Sequence, residues 1–345
     1  MGHVQLMFRK ITGYLFRGWA IIRDRYFGEK SFSCGHKAVF SAAGSRKVVI
    51  WGHKPHTHTH SYIHGSYFRA FKKMGYDTYW LDDRDDVSGF DFKNCIFLTE
   101  GQADAKIPLE PAAVYVLHNC RLEKYKNSGL KYVNLCNYVN DCRIGKSFNF
   151  PGGAVEKLTY YSYYDAPNRA LYQPWGTDLM PEEIQEKLLM LDARKGKVCY
   201  IGSIWDENLS YVERFAKACK DNRKKFVNVK YVSRKKAVRL IRDSYLFPDI
   251  RGPFHVSVGY IPCRVFKNIS YGCIPATNSA FVRDFFGGAA LPYAEDPYGL
   301  FKANEEFLSG ASGEESARWL VDEVKKHHTY VTRVDTILSV ISGGL

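Results

Sequence analysis

The sequence predicts an α/β protein of two doubly wound, Rossmann-like halves facing each other across a cleft, and three observations carry that expectation. At 345 residues the chain exceeds what one core ordinarily supports, so two cores of roughly 150 residues each are expected. Near position 50 a strand, a polar loop, a helix and a second strand follow one another over roughly thirty residues, the length of a βαβ unit. The same alternation restarts near position 198, after a stretch that Pro and Gly break.

In the first half the short apolar run Lys47 to Trp51 reads as a strand ending at Gly52. A helix is expected from about Ser61, carrying Tyr62, Tyr67, Phe68 and Phe71 and stopping at Gly75, with a strand from Tyr76 to Leu81 directly after it. Cys95 to Leu98 and Val114 to His118 are bounded by turn formers, as buried parallel strands are. A Tyr-rich stretch, Tyr160 to Tyr164, precedes the linker Leu171 to Asp178, where the boundary is expected. Residues 1–175 then form the first domain, with 1–45 as an N-terminal extension.

The second domain, 176–328, opens with a strand from Val198 to Ile201 and a helix from about Leu209 to Lys220. Val227 to Tyr231 is the next strand, Ser233 begins a basic helix, and Ser244 to Phe247 reads as a third strand stopped by Pro248. A helix from Arg264 to Tyr271 closes on Gly272, with Ile274 to Thr277 as the strand behind it. A strong helix is expected from Glu314 to Lys326. In the last segment, 329–345, Val331 to Ile341 is expected to cross back to the first domain.

Composition narrows the class. A hydrophobic fraction of 46%, with 24 Tyr and 22 Phe, belongs to a folded globular chain and not to disordered tails. The nine cysteines (Cys34, Cys95, Cys120, Cys136, Cys142, Cys199, Cys219, Cys263, Cys273) are odd in number and scattered, with no C-x-x-C, which speaks against a disulfide framework and a structural zinc site. No apolar run is long enough to span a membrane and the start does not read as a signal peptide, so a cytosolic protein is expected. Residues 5 to 25 alternate apolar side chains with Arg9, Lys10, Arg17, Arg23 and Arg25. They read either as a helix packed on the first domain or as a peripheral membrane contact. A net charge of +13 attracts polyanions. The basic residues are spread along the chain and form no RRM, KH or zinc-finger pattern, so no nucleic-acid partner is expected.

Ligands of open α/β sheets bind beyond the carboxyl ends of the strands. At one such end lies Gly202-Ser203, where backbone N–H groups can approach an anion or simply make a tight turn. Trp205 and Asp206 follow, for contact with a sugar or for helix capping. The segment from Gly259 through Tyr260 to Asn268 delivers Arg264 and Lys267 to the first turn of a helix. Cations there oppose the helix dipole unless an anion such as a diphosphate lies in front. Arg251 and Tyr260 flank that loop. Asn278 and Ser279, past the next strand, extend the anion site or hold a ribose hydroxyl.

The order strand-GS-helix, SYLFPD, then GYIPCRVFKNISYGCIPATNS, preceded by LYQPWGTDL, resembles the C-terminal nucleotide-binding domain of GT-B-fold glycosyltransferases. The likeness covers residues 171 to 285 well and the first half in outline. It implies transfer of a sugar from a UDP- or GDP-linked donor to a glycan or glycoconjugate hydroxyl, without a metal or other cofactor. It also implies donor contacts by Gly202, Ser203, Arg264, Lys267, Thr277 and Asn278. Many retaining members carry two glutamates eight positions apart, where this chain has Gly259 and Lys267. The basic start of the helix is more similar to fucosyltransferases that clamp GDP-fucose, and retention or inversion stays open.

In the first half, His53-Lys54-Pro55-His56-Thr57-His58-Thr59-His60, with His64 one turn later, follows the first strand. His56, His58, His60 and His64 are candidates for the base that takes an acceptor proton or, protonated, balances a departing diphosphate. The alternatives are a polar loop without catalysis and a metal site on the helix face shared by His60 and His64, for which no nearby carboxylate is evident. His53, Asp82 and His118 are the acceptor-side candidates, although Asp82, Asp83, Asp85 and Asp86 together also read as a solvated turn. A dehydrogenase or epimerase is disfavoured because no G-x-G-x-x-G follows either first strand. The rival from another class is a non-catalytic protein that binds polyanions or membranes.

Overall fold

The computed structural model describes residues 46–54, 59–141, 146–147, 156–159, 161–184, 195–230, 232–288, 290–310 and 313–343. The amphipathic stretch at 5 to 25 and the candidates His56 and His58 lie outside the described residues.

The first half is one eight-stranded sheet. Its strands are β1 (Lys47–Trp51), β2 (Asp77–Leu81), β3 (Ile96–Glu100), β4 (Val114–His118), β5 (Lys131–Cys136), β8 (Glu156–Thr159), β9 (Ser162–Asp165) and β10 (Ala170–Tyr172). Their order is β2-β1-β3-β4-β5-β10-β9-β8, and a separate short hairpin pairs β6 (Asn140–Asp141) with β7 (Lys146–Ser147). The first six strands of the large sheet run parallel, and β9 and β8 close the edge antiparallel. Alternation explains why β1 is apolar throughout: Val48 and Ile50 face one core, Val49 and Trp51 the other. Burying Val48, Val49 and Ile50 alone contributes roughly 6 kcal/mol of apolar transfer. Helix α1 (Thr59–Lys73) covers one face with Ile63, Tyr67, Ala70 and Phe71, and α2 (Leu122–Asn127) leads from β4 to β5.

The second half has two parallel pairs, β11 (Lys197–Ile201) with β12 (Lys225–Val229) and β13 (Phe247–Asp249) with β14 (Pro275–Thr277). They stand side by side, joined where Tyr245 N donates to Lys197 O at 2.8 Å. Around them lie α3 (Asp206–Asp221), α4 (Arg234–Arg242), α5 (Pro253–Ser257), α6 (Cys263–Ser270), α7 (Ala280–Phe285), α8 (Leu300–Ser309) and α9 (Gly313–His327). The expected strand from Ser244 to Phe247 is displaced to Phe247–Asp249. Ser244 instead turns the chain, its hydroxyl accepting from Cys199 N at 2.8 Å and donating to Leu246 O at 2.6 Å. Helix α3 begins at Asp206, three residues earlier than expected, because the Asn208 side chain accepts from Trp205 N at 2.8 Å and Asp206 and Glu207 fill the first turn.

The last helix, α10 (Tyr330–Ser342), lies on α1, with the Tyr67 and Tyr330 rings 4.7 Å apart. Thr177 N donates to His328 O at 2.9 Å, so the outgoing and returning segments run together. Arg333 sits between them, 1% exposed, donating to Trp175 O at 3.1 Å, His327 O at 3.1 Å and His328 Nδ1 at 2.8 Å. One apolar cluster therefore runs from β1 through α1 and α10 into α6. Among the described residues all seven cysteines are free thiols, and no helix is long and apolar enough to cross a membrane.

His328 makes the stability of this junction sensitive to pH. Burial, then Arg333 and His327, hold its pKa well below the ordinary value. The unfolded chain takes the proton that the folded one refuses, so this contribution is complete above about pH 6.5 and is lost as pH falls below it. Between pH 6.5 and 5.5, urea unfolding should show wild type losing about 1 kcal/mol more than His328→Gln.

Candidate functional site

Three parallel strands of the first half deliver polar residues to one edge. After β1 the chain turns at Gly52 and His53, both in the left-handed region with φ of 87° and 54°. A Cβ on Gly52 would sit 2.3 Å from that of Ala103, so only glycine lets the loops after β1 and β3 meet. His53 has no such freedom, and strain of this kind concentrates at functional sites. Asn119, just after β4, is also left-handed at 54°.

Glu100, the last residue of β3, lies between them at 1% exposure. Its Oε2 accepts from His53 Nε2 at 2.9 Å and from Gln102 N at 2.9 Å, and lies 3.7 Å from His60 Nδ1. Burial pushes the Glu100 carboxyl up, but the His53 hydrogen bond, the His60 charge and the Gln102 N–H together hold it down at about 2. The cluster extends through His118, whose ring centroid is 5.7 Å from that of His60 and whose Nε2 is 3.2 Å from Asn137 Oδ1. The sequence reading missed Glu100 because it ended the strand two residues early. A carboxylate directly before Gly101 at a strand end is the signal that would have found it.

The other first-half candidates are distributed differently. His64 is buried behind His53, rings 5.1 Å apart, and donates from Nδ1 to Gly52 O at 3.1 Å. Burial, with help from His53, pushes its pKa down to about 3, which leaves it a neutral support for the Gly52 turn. The acids after β2 are engaged within their turn and with the end of β1: Asp82 holds Arg84, Asp83 accepts from Trp51 Nε1 at 3.1 Å, and Asp85 pairs with Lys54 at 2.5 Å.

In the second half Asp249 is the hub, fully buried at the end of β13. It receives Arg251 Nε at 2.8 Å and Thr277 Oγ1 at 3.1 Å, with Arg264 Nε 4.0 Å away. Arg264 lies over the Tyr200 ring, 4.7 Å from its centroid. Burial works against its charge, yet Tyr200 and Asp249 raise its pKa above the ordinary arginine value. The guanidinium packs on Gly202, where a Cβ would meet Nη2 at 3.2 Å, and its buried Nη1 has no hydrogen-bond partner. Asn228 Nδ2 pins this turn, donating to Tyr200 O and Gly202 O at 3.0 Å each, with Ser203 half-buried beside it. Trp205 stands out at 66% exposure.

Lys267 departs from its expected position. It lies in the last turn of α6, not the first, and its Nζ is 3.8 Å from Asp178 Oδ2 and 4.3 Å from the Tyr62 ring. Asp178 is also ion-paired with Arg234, whose Nε lies 3.0 Å from Oδ2, and its Oδ1 accepts from the Tyr271 hydroxyl at 2.9 Å. Burial raises its pKa, but Lys267 and Arg234 outweigh that and keep it ionised. The anion expected opposite the helix cations is thus partly supplied by the chain, as Asp178 for Lys267 and Asp249 for Arg264.

Asn278 and Ser279 are likewise engaged in structure. Asn278 Oδ1 accepts from Arg251 N at 2.7 Å and its Nδ2 donates to Arg251 O at 3.0 Å, while Ser279 caps α7 through Val282 N at 3.4 Å. Asn278→Ala would orphan two buried backbone groups and should lower unfolding free energy by about 2 kcal/mol in a denaturant titration.

The two clusters are contiguous. The His118 ring lies 4.8 Å from Trp175, Trp175 Nε1 donates to the Tyr260 hydroxyl at 3.2 Å, and Arg251 stacks over Tyr260 at 5.5 Å. The carboxyl ends of both sheets therefore meet at one place, with histidines and a carboxylate on one side and arginines on the other.

No family model matches this sequence, and no curated protein does. Among solved structures the chain is similar to an alpha-glucosyltransferase in complex with UDP and a 13-mer DNA containing a HMU base. That match has 9% identity and a TM-score of 0.55, and covers 87% of this chain and 100% of that one. It is also similar to the glycosyltransferase SnogD from Streptomyces nogalater, at 11% identity, TM-score 0.42, 86% of this chain and 100% of that one. A third, glycosyltransferase VinC in complex with DTDP, has 12% identity and TM-score 0.39, again over 86% and 100%. The first of these makes the fold a GT-B fold, with two parallel Rossmann-like sheets.

Proposed function

We propose that this chain is a glycosyltransferase that moves a sugar from a nucleoside-diphosphate donor to an acceptor hydroxyl. The observation that carries the reading is the buried, unsatisfied Nη1 of Arg264 beside Gly202, in a cluster that Tyr260 and Trp175 join to the histidines around Glu100. Arg264 and the Ser203 N–H at the Gly202 turn receive the donor diphosphate, and the exposed Trp205 flanks it. As the acceptor oxygen bonds to the anomeric carbon, the bond from that carbon to the diphosphate breaks. The acceptor proton is given up at His53, His60 and Glu100, and the charge gathered on the diphosphate is met by Arg264.

The structurally similar alpha-glucosyltransferase was solved with UDP, so a uridine donor is the first to test, with a guanosine donor second. Unfolding temperature is measured with UDP, GDP, CDP and dTDP at equal concentration, because a ligand that binds only the native state raises it. A selective rise with one nucleoside diphosphate, followed by its release from the matching nucleotide sugar, is the expected result. No rise with any of them, together with salt-sensitive binding to RNA or anionic vesicles, would sink the reading in favour of a non-catalytic polyanion binder.

A further inference from the structure

We infer that His53, His60 and Glu100 form a site for a divalent transition metal, with Zn²⁺ as the best-fitting ion. The three side chains each bring one ligand atom, and all three atoms lie within 4.8 Å of one another. Two imidazoles and a carboxylate around a tetrahedral ion with bonds of about 2.0–2.1 Å require ligand atoms about 3.3 Å apart. The observed separations from Glu100 Oε2, 2.9 Å to His53 Nε2 and 3.7 Å to His60 Nδ1, fall on either side of that value. Shifts of a few tenths of an ångström bring both carboxylate distances to that value, and the two imidazole nitrogens, within 4.8 Å of each other, close by ring rotation.

The chemistry of the donors fits as well. Imidazole nitrogen with carboxylate oxygen suits Zn²⁺ and its neighbours, whereas Mg²⁺ and Ca²⁺ prefer all-oxygen shells. Glu100 is ionised and its carboxylate is oriented by groups outside the triad, Gln102 N at 2.9 Å and Asn119 Nδ2 at 3.5 Å. Such outer partners fix a metal ligand in place. His53 is held by its backbone, its carbonyl accepting from the Ser61 hydroxyl at 2.8 Å. Three protein ligands leave a fourth position for an oxygen ligand, the pattern of a catalytic and not a structural zinc site. With the ion bound, these three side chains no longer take the acceptor proton; the acceptor hydroxyl would occupy the fourth position, an assignment that rests on the transferase reading, whereas the metal site itself does not.

The test uses the full chain, treated with a chelator, dialysed and titrated with Co²⁺ while visible absorption is recorded. One equivalent should give the strong bands of a four-coordinate ion, and Zn²⁺ should abolish them. His60→Ala and Glu100→Gln should each weaken uptake at least tenfold with an unchanged far-ultraviolet spectrum. His60, the most exposed of the three, keeps the test informative if Glu100→Gln fails to fold. A double variant, His56→Ala with His58→Ala, should bind as wild type does. The inference is overturned if wild type takes up no ion, if His60→Ala and Glu100→Gln bind as tightly as wild type, or if only the double variant loses binding. No nucleotide is present in this experiment, so its failure is distinct from a failure of nucleoside-diphosphate binding.

Discussion

Glu100→Gln should lower turnover of the nucleotide sugar by about 100-fold while leaving nucleoside-diphosphate affinity within about twofold of wild type. The substitution keeps shape and burial but removes the charge to which His53 and His60 are tied. Both imidazoles then lose the carboxylate that orients them. Its amide oxygen can still accept from Gln102 N, with its NH2 donating to a flipped Asn119 amide, so a stability cost of only about 1–3 kcal/mol is expected. Steady-state kinetics beside calorimetric titration with the diphosphate separates the two quantities. A fall in affinity equal to the fall in turnover would show that Glu100 serves the donor side instead.

Arg264→Ala should act in the opposite manner, weakening nucleoside-diphosphate binding by about 10- to 100-fold, because a buried charge-assisted contact is worth about 1.5–3 kcal/mol. Asp249 keeps Arg251 as its partner in the variant, so no carboxylate is stranded. Arg264→Lys should recover only part of the loss, since an ammonium restores charge but not the planar fork that grips two phosphate oxygens. Calorimetric titration of both variants decides the matter, and unchanged affinity in Arg264→Ala would remove the diphosphate from this helix.

The contrast between these residues explains what was legible in the sequence. Arg264 and Gly202 stand out in the sequence because local rules point at them: a glycine at a strand end, and a cation at the start of a helix where the dipole disfavours it. Strand and helix alternation likewise marked β1, α1, β11 and α6 closely. Glu100 was hidden because a strand buried on both faces, Ile96 to Glu100, hides its polar last residue inside an apolar run. The protein partners of Lys267 and Asn278 were not legible because they are remote. Asp178 lies 89 positions before Lys267, and the Arg251 backbone 27 positions before Asn278. Nothing in a local window announces such pairings. The histidine loop was evident as a concentration of imidazoles, but which of them share a carboxylate depends on how β1 and β3 align.

The paired crossings between the halves, at residues 173–178 and 328–330, have a mechanical consequence. Two adjacent strands of chain, laced by Thr177 to His328 and by Arg333 to Trp175, act as the two pins of a door. Any relative movement of the halves has to leave both crossings intact, which keeps the arginines opposite the same histidines. Deleting α10 would leave every residue of both clusters present yet remove one pin, and the two faces would lose the register in which they meet.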